Sequence, residues 1–109
     1  MVHEREKTMK SETVGGIGKE ILNNIPNYPN TINGKDLAYA CGLTSSAMVR
    51  RKVNALRTAG FPIISTHDGY SIATDSKQIE DCIHSLRSRV ASIEEAIYGL
   101  YKSFGAVAQ

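Results

Sequence analysis

Between Ile79 and Leu100 the apolar residues fall at Ile79, Ile83, Leu86, Val90, Ile93, Ile97 and Leu100, in steps of four, three, four, three, four and three. That spacing keeps one stripe aligned on an α-helix and excludes a strand, whose side chains alternate at every second residue. It predicts a long helix over 75–101, with Ile83, Val90 and Ile97 at a positions and Ile79, Leu86, Ile93 and Leu100 at d positions of a heptad. Asp75 and Gln78 stand at capping-box spacing at its start. A helix of about 25 residues reaches about 40 Å. The short elements before it cannot cover that length, although its early part, near Ile79 and Ile83, can pack on its own domain. The rest calls for a second copy of the chain. In a parallel pair Arg89 at g meets Glu94 at e, whereas Cys82 with Arg87 is neutral, and exposed pairs of this kind decide little. No polar residue interrupts the seam, so parallel and antiparallel pairing both remain open, as do higher oligomers.

The preceding 74 residues read as short helices followed by a hairpin. Residues 1–13 carry no apolar periodicity and are expected to form a mobile arm. Val14, Ile17, Ile21, Leu22 and Ile25 make one helical stripe, weakened at its start by Gly15, Gly16 and Gly18 and stopped by Pro26 and Pro29. A second helix is expected from Lys35 to Cys41, with Leu37, Ala38 and Cys41 inward, broken by Gly42 in the left-handed region. Thr44 or Ser45 then caps a third helix, which runs to about Ala59 with Val49, Val53 and Leu56 buried.

Gly60 ends that helix. Ile63-Ile64-Ser65-Thr66 and Tyr70-Ser71-Ile72-Ala73 follow as two strands. A three-residue loop, His67-Asp68-Gly69, would pair Ile64 with Ile72 and Thr66 with Tyr70, and so gather the large residues on one face. An Asp-Gly loop of two residues would instead set Ile64 opposite Ala73. The first register is preferred. The expected class is α+β, mainly α: helix-helix-helix-strand-strand over 14–74, the long helix over 75–101, and a tail over 102–109.

The third helix is basic. Arg50, Arg51, Lys52 and Arg57 lie within eight residues, in a chain whose formal net charge is only +2. Taken alone, such a run reads as well as a solvated face. Opposite the buried stripe, however, stand Ala47, Arg51, Asn54 and Thr58, flanked by Arg50. Arg can bond guanine in bidentate fashion and Asn can do the same with adenine, while a small Ala lets the helix approach the bases. Ser45 and Ser46, with the free N–H groups of the helix start, can hold a phosphate. Lys52 and Arg57 sit towards the flanks, placed for phosphates or for no contact.

The stretch Gly34–Ile72 resembles the winged-helix module at the N-terminus of bacterial biotin repressors, and the wider class of prokaryotic and phage regulators built on it. The matching residues are Leu37-Ala38 and Gly42-Leu43 around the turn, Val53, Leu56-Arg57 and Gly60 along the third helix, and Gly69-Tyr70-Ser71-Ile72 in the second strand. They span a little over a third of the chain. The resemblance implies a winged helix-turn-helix that binds double-stranded DNA through the helix over 45–59, as a dimeric, repressor-like regulator. The turn is one residue longer here, and the wing carries only His67 at its tip, so wing contact with DNA is minor. No ligase domain is seen, and no biotin chemistry is implied. The alternatives are a winged-helix adaptor that binds another protein, or an origin or partition DNA-binding protein.

Other classes find no support. No Ser/His/Asp, Cys/His or paired-carboxylate set suggests an enzyme. Gly15, Gly16 and Gly18 follow no strand and precede no Lys-Ser/Thr pair at P-loop spacing. His3, His67 and His84 are scattered, so neither metal nor cofactor is expected, and Cys41 and Cys82 are expected as reduced, buried side chains. There is no apolar run of membrane-spanning length and no apolar segment near Met1 that would read as a secretory signal. The expected location is the cytoplasm, on the nucleoid when bound to DNA.

Overall fold

Four residues after Ile72, the last residue of the hairpin, the chain enters a helix that continues without a break for 33 residues, Ser76–Ala108 (α4). The computed structural model describes the backbone of residues 15–108 and the side chains of residues 15–105. The expected arm over 1–13, with His3, and the first stripe residue Val14 lie outside the described residues. Ahead of α4 come α1 (Gly16–Asn24), α2 (Gly34–Ala40), α3 (Ser46–Thr58), β1 (Ile63–Thr66) and β2 (Gly69–Ile72). The chain is therefore mainly helical with one small antiparallel sheet, in the element order read from the sequence.

Local chemistry sets the ends of these elements. Pro26 cannot extend α1, which stops at Ile25. Asn33 caps α2, its side-chain oxygen accepting from the Asp36 N–H at 2.8 Å. Gly42, at φ +68°, turns the chain out of α2. Of the two candidate caps for α3, Ser45 takes the role: its Oγ accepts from the Met48 N–H at 3.3 Å. At the head of α4 the Gln78 N–H donates to Asp75 at 3.0 Å, while the Gln78 side chain accepts from the Thr74 N–H at 2.7 Å, one residue further back than a standard capping box.

Ile21 of α1 with Ile25 at its C-cap, Leu37 and Ala38 of α2 with Cys41 at its C-cap, and Val49, Val53 and Leu56 of α3 close around one core, with Ile63 from β1. Ile17, by contrast, stays partly in solvent. Both cysteines are free and buried. Burial pushes the Cys41 thiol above its ordinary range, and the Glu20 carboxylate adds to the effect.

The hairpin differs from the expected register. Ile63 pairs with Ile72, Ile64 with Ser71, Ser65 with Tyr70 and Thr66 with Gly69, so the loop is His67-Asp68 alone. The large residues need not share a face, because both faces of β1 are covered. Ile63 enters the helical core, whereas Ile64 turns the other way, towards Cys82 and Ser85 of α4. The outer edge of β2 is occupied too. The loop after α1 pairs with it, through Tyr28 N–H to Ile72 O at 2.9 Å and reciprocal bonds between Ile32 and Tyr70 at 3.0 and 2.8 Å. Ser71 is fully buried there and donates to the Asn30 carbonyl at 2.6 Å.

Two expectations for α4 also change. No tail begins at residue 102, since the helix persists to Ala108: the stretch Lys102-Ser103-Phe104-Gly105-Ala106 holds no proline and no capping signal strong enough to end it. Nor does Ile83 pack inward. The face laid on the body carries Ile79, Cys82 and Leu86, and the Ile83 side chain is 42 % exposed. The rest of the seam stands clear of the body, with Leu100 as much as 69 % exposed. Phe104, seven residues after Ile97, continues the a positions and is also exposed.

Candidate nucleic-acid interface

Helix α3 is built to keep one stripe in the core and the opposite one in solvent. Val49 and Val53 are essentially inaccessible and Leu56 is buried, whereas Ala47, Arg50, Arg51, Asn54 and Thr58 are exposed. The side chains of Ala47, Arg51, Asn54 and Thr58 thus share one free face, as expected. Thr58 turns its hydroxyl back onto the Asn54 carbonyl at 2.9 Å, so it offers mainly acceptor capacity outward. With Ser45 capping Met48, the N–H groups of Ser46 and Ala47 have no acceptor within the helix and open outward beside that face. They form the positive end of a 13-residue helix dipole.

The remaining basic residues of α3 divide between its two flanks. Lys52 lies on the far side, where it lines a groove with Gly15, Gly16 and Gly18 at the start of α1. This places it away from Arg51 and Asn54. Arg57 turns inward: its Nε donates to the Ile63 carbonyl at 2.7 Å, and one of its terminal nitrogens reaches Ser65 Oγ at 3.2 Å and Cys82 Sγ at 3.9 Å. The free, flanking cation expected at Arg57 is in fact a tie between α3, β1 and α4.

His67 is exposed at the hairpin tip, next to Asp68. The tip and α3 do not lie edge to edge. Between them is an open cleft of 340 Å³, lined among others by Ser46 and Arg50 of α3, Arg57, and His67 and Asp68 of the hairpin. Arg89 of α4 completes it. Sequence reasoning assigned Arg89 to helix pairing and did not place it at this site. The available signal was its position seven residues after Cys82, on the same helical stripe, but that stripe becomes informative only once Cys82 is known to face the body.

Among the described residues there is no group of three His, Cys, Asp or Glu side chains able to hold a metal ion, and no helix is long and apolar enough to cross a membrane. Compared with known proteins, the chain matches no family model, no curated protein and no solved structure.

Proposed function

We propose that this chain is a sequence-specific double-stranded DNA-binding protein, a dimeric regulator of repressor type, whose first three helices and hairpin form a winged helix-turn-helix. The carrying observation is the solvent face of α3, where Arg51 and Asn54 stand beside Ala47 directly opposite the buried Val49, Val53 and Leu56. A helix so arranged can enter the major groove without disturbing its own packing, and present one guanine-reading and one adenine-reading side chain. The glycine turn between α2 and α3, and the hairpin tied through Arg57 on β1 and through Ile32 on β2, support the same reading.

The second copy is proposed from α4. Its a and d residues beyond Leu86 make an apolar stripe with no cover from the body, and the same heptad register on an identical helix is the surface that matches it. Pairing would double the phosphate contacts and set two recognition helices on a repeated site.

Selection of bound duplexes from a random pool, followed by anisotropy titration at fixed salt, tests the reading. One enriched motif, bound at least about a thousandfold more tightly than random duplex, is the expected result. No binding to any duplex at low salt would refute it.

A further inference from the structure

The stripe of α4 that faces the body carries Gln78, Cys82 and Ser85, and Arg89 follows on it, about 10 Å beyond Cys82 along the axis. The body ends under Leu86, so Arg89 overhangs the cleft between α3 and the hairpin. Three arginines, Arg50, Arg57 and Arg89, line this one cleft together with a single acidic residue, Asp68. Their excess of two positive charges equals the formal net charge of the whole chain. None of the three is in an ion pair among the described residues, where the pair formed is Lys77 with Asp81. Arg57 is anchored by its bonds to Ile63 and Ser65, so one of the cations is held in place before any ligand arrives.

We propose that this cleft seats a backbone phosphate of bound DNA, and that Arg89 makes the long helix part of the DNA-contacting surface. The proposal rests on the DNA-binding reading above. Guanidinium groups suit phosphate oxygens because they donate in a planar fork and stay charged at every working pH. The N-terminal turn of α3, at Ser46, lines the same cleft and adds the positive end of its dipole. A phosphate seated there would lie roughly a quarter-turn around α3 from Arg51 and Asn54, which matches a duplex whose bases face those residues while one strand's backbone passes towards the hairpin. Arg89 would then fix the angle between the dimer helix and DNA.

The test uses the full chain and a short labelled duplex of arbitrary sequence, because phosphate contacts do not depend on base identity. Affinity is measured across a chloride series for the wild type, Arg89→Ala and Arg87→Ala. Arg87 carries the same charge two residues away, where it does not share the Arg89 face. Arg89→Ala should lower the slope of log affinity against log salt by about one per bound protomer, and Arg87→Ala by less than half as much. Equal effects, or none from Arg89→Ala, would overturn the phosphate seat while leaving DNA binding intact. A wild type that binds no duplex removes both proposals together. Calorimetric titration with inorganic phosphate supplies the last arm: a saturable heat abolished by Arg89→Ala, with the DNA salt slope left unchanged by the same substitution, would assign the cleft to a free anion and overturn the role given to DNA.

Discussion

The Arg57 side chain donates to the backbone carbonyl of Ile63 at 2.7 Å. This one bond joins the last turn of α3 to the first residue of β1, across the Gly60 turn. A second guanidinium nitrogen holds Ser65 at 3.2 Å and lies 3.9 Å from the Cys82 sulfur. The helix proposed to read DNA, the hairpin and the long helix therefore meet at one partly buried cation, and their mutual angles depend on it.

Arg57→Ala should therefore cost stability. A hydrogen bond from a charged donor contributes about 1.5–3 kcal/mol, and truncation also strands the Ile63 carbonyl in a largely buried strand. Arg57→Lys should not restore it, because a single ammonium cannot reproduce the fork. Urea unfolding is expected to give losses of about 1.5–3 kcal/mol for both variants. A loss below about 0.5 kcal/mol would show the bond to be incidental.

Arg51→Ala is expected to behave in the opposite way. The side chain is exposed and makes no hydrogen bond or ion pair among the described residues, so the unfolding midpoint should stay where it is. Affinity for the selected site should fall by about 1–3 kcal/mol, with preference relaxed at one base pair. Asn54→Ala should relax a different base pair. If Arg51→Ala weakened selected and random duplexes equally, Arg51 would be a phosphate contact and the base-reading role would be withdrawn.

Element order, the cap at Asp75, a cap for α3 at Thr44 or Ser45, the break at Gly42 and the inward face of α3 were all legible in the sequence, because each follows from local chemistry or a 3.6-residue period. The hairpin register was not. Choosing it needed the knowledge that Ile64 would be covered by α4 and that β2 would be flanked by the loop at Ile32, and both are contacts between distant parts of the chain. The inward turn of Arg57 failed for the same reason. A cation on a helix flank looks free until the strand carbonyl it reaches is in place. The place of Arg89 at the cleft is not legible from the heptad, because a heptad describes one stripe of a helix and α4 uses two: one against the body through Cys82, the other open through Val90 and Ile97.

That second stripe can be tested without unfolding the body. Val90 and Ile97 are about half exposed and lie beyond the part of α4 that touches β1. Val90→Glu combined with Ile97→Glu should leave the thermal transition of the helical core unchanged while placing like charges in the seam of any pair. Sedimentation equilibrium should give a dimer for the wild type and a monomer for the double variant. The monomer should bind the selected DNA site at least about tenfold more weakly, through loss of the second set of contacts. A wild type that sediments as a monomer at micromolar concentration would remove the dimer from the proposal.

Two glycine substitutions should move stability in opposite directions. Gly69 opens β2 at φ +144°, a region in which L side chains are strained, and a Cβ there would overlap the Ile32 carbonyl and lie 2.9 Å from the Asn33 Cα. The close approach exists because Tyr70 exchanges both backbone bonds with Ile32, which draws the loop before α2 against the strand. Gly69→Ala should thus force the hairpin and that loop apart, at a cost of about 1–3 kcal/mol. Gly99 lies inside α4 with nothing within 4 Å of its would-be Cβ, and two residues past Ile97 it falls off the seam. There Ala should gain about 0.8–1.0 kcal/mol of helix propensity with no steric penalty. The readouts differ accordingly. Gly69→Ala should lower the midpoint of the cooperative unfolding transition, whereas Gly99→Ala should raise helical circular dichroism and slow amide exchange around residues 95–103 without moving the core transition. A Gly69→Ala variant as stable as the wild type would mean that Ile32 does not hold the edge of β2, and that the hairpin beside α3 is braced on one side only.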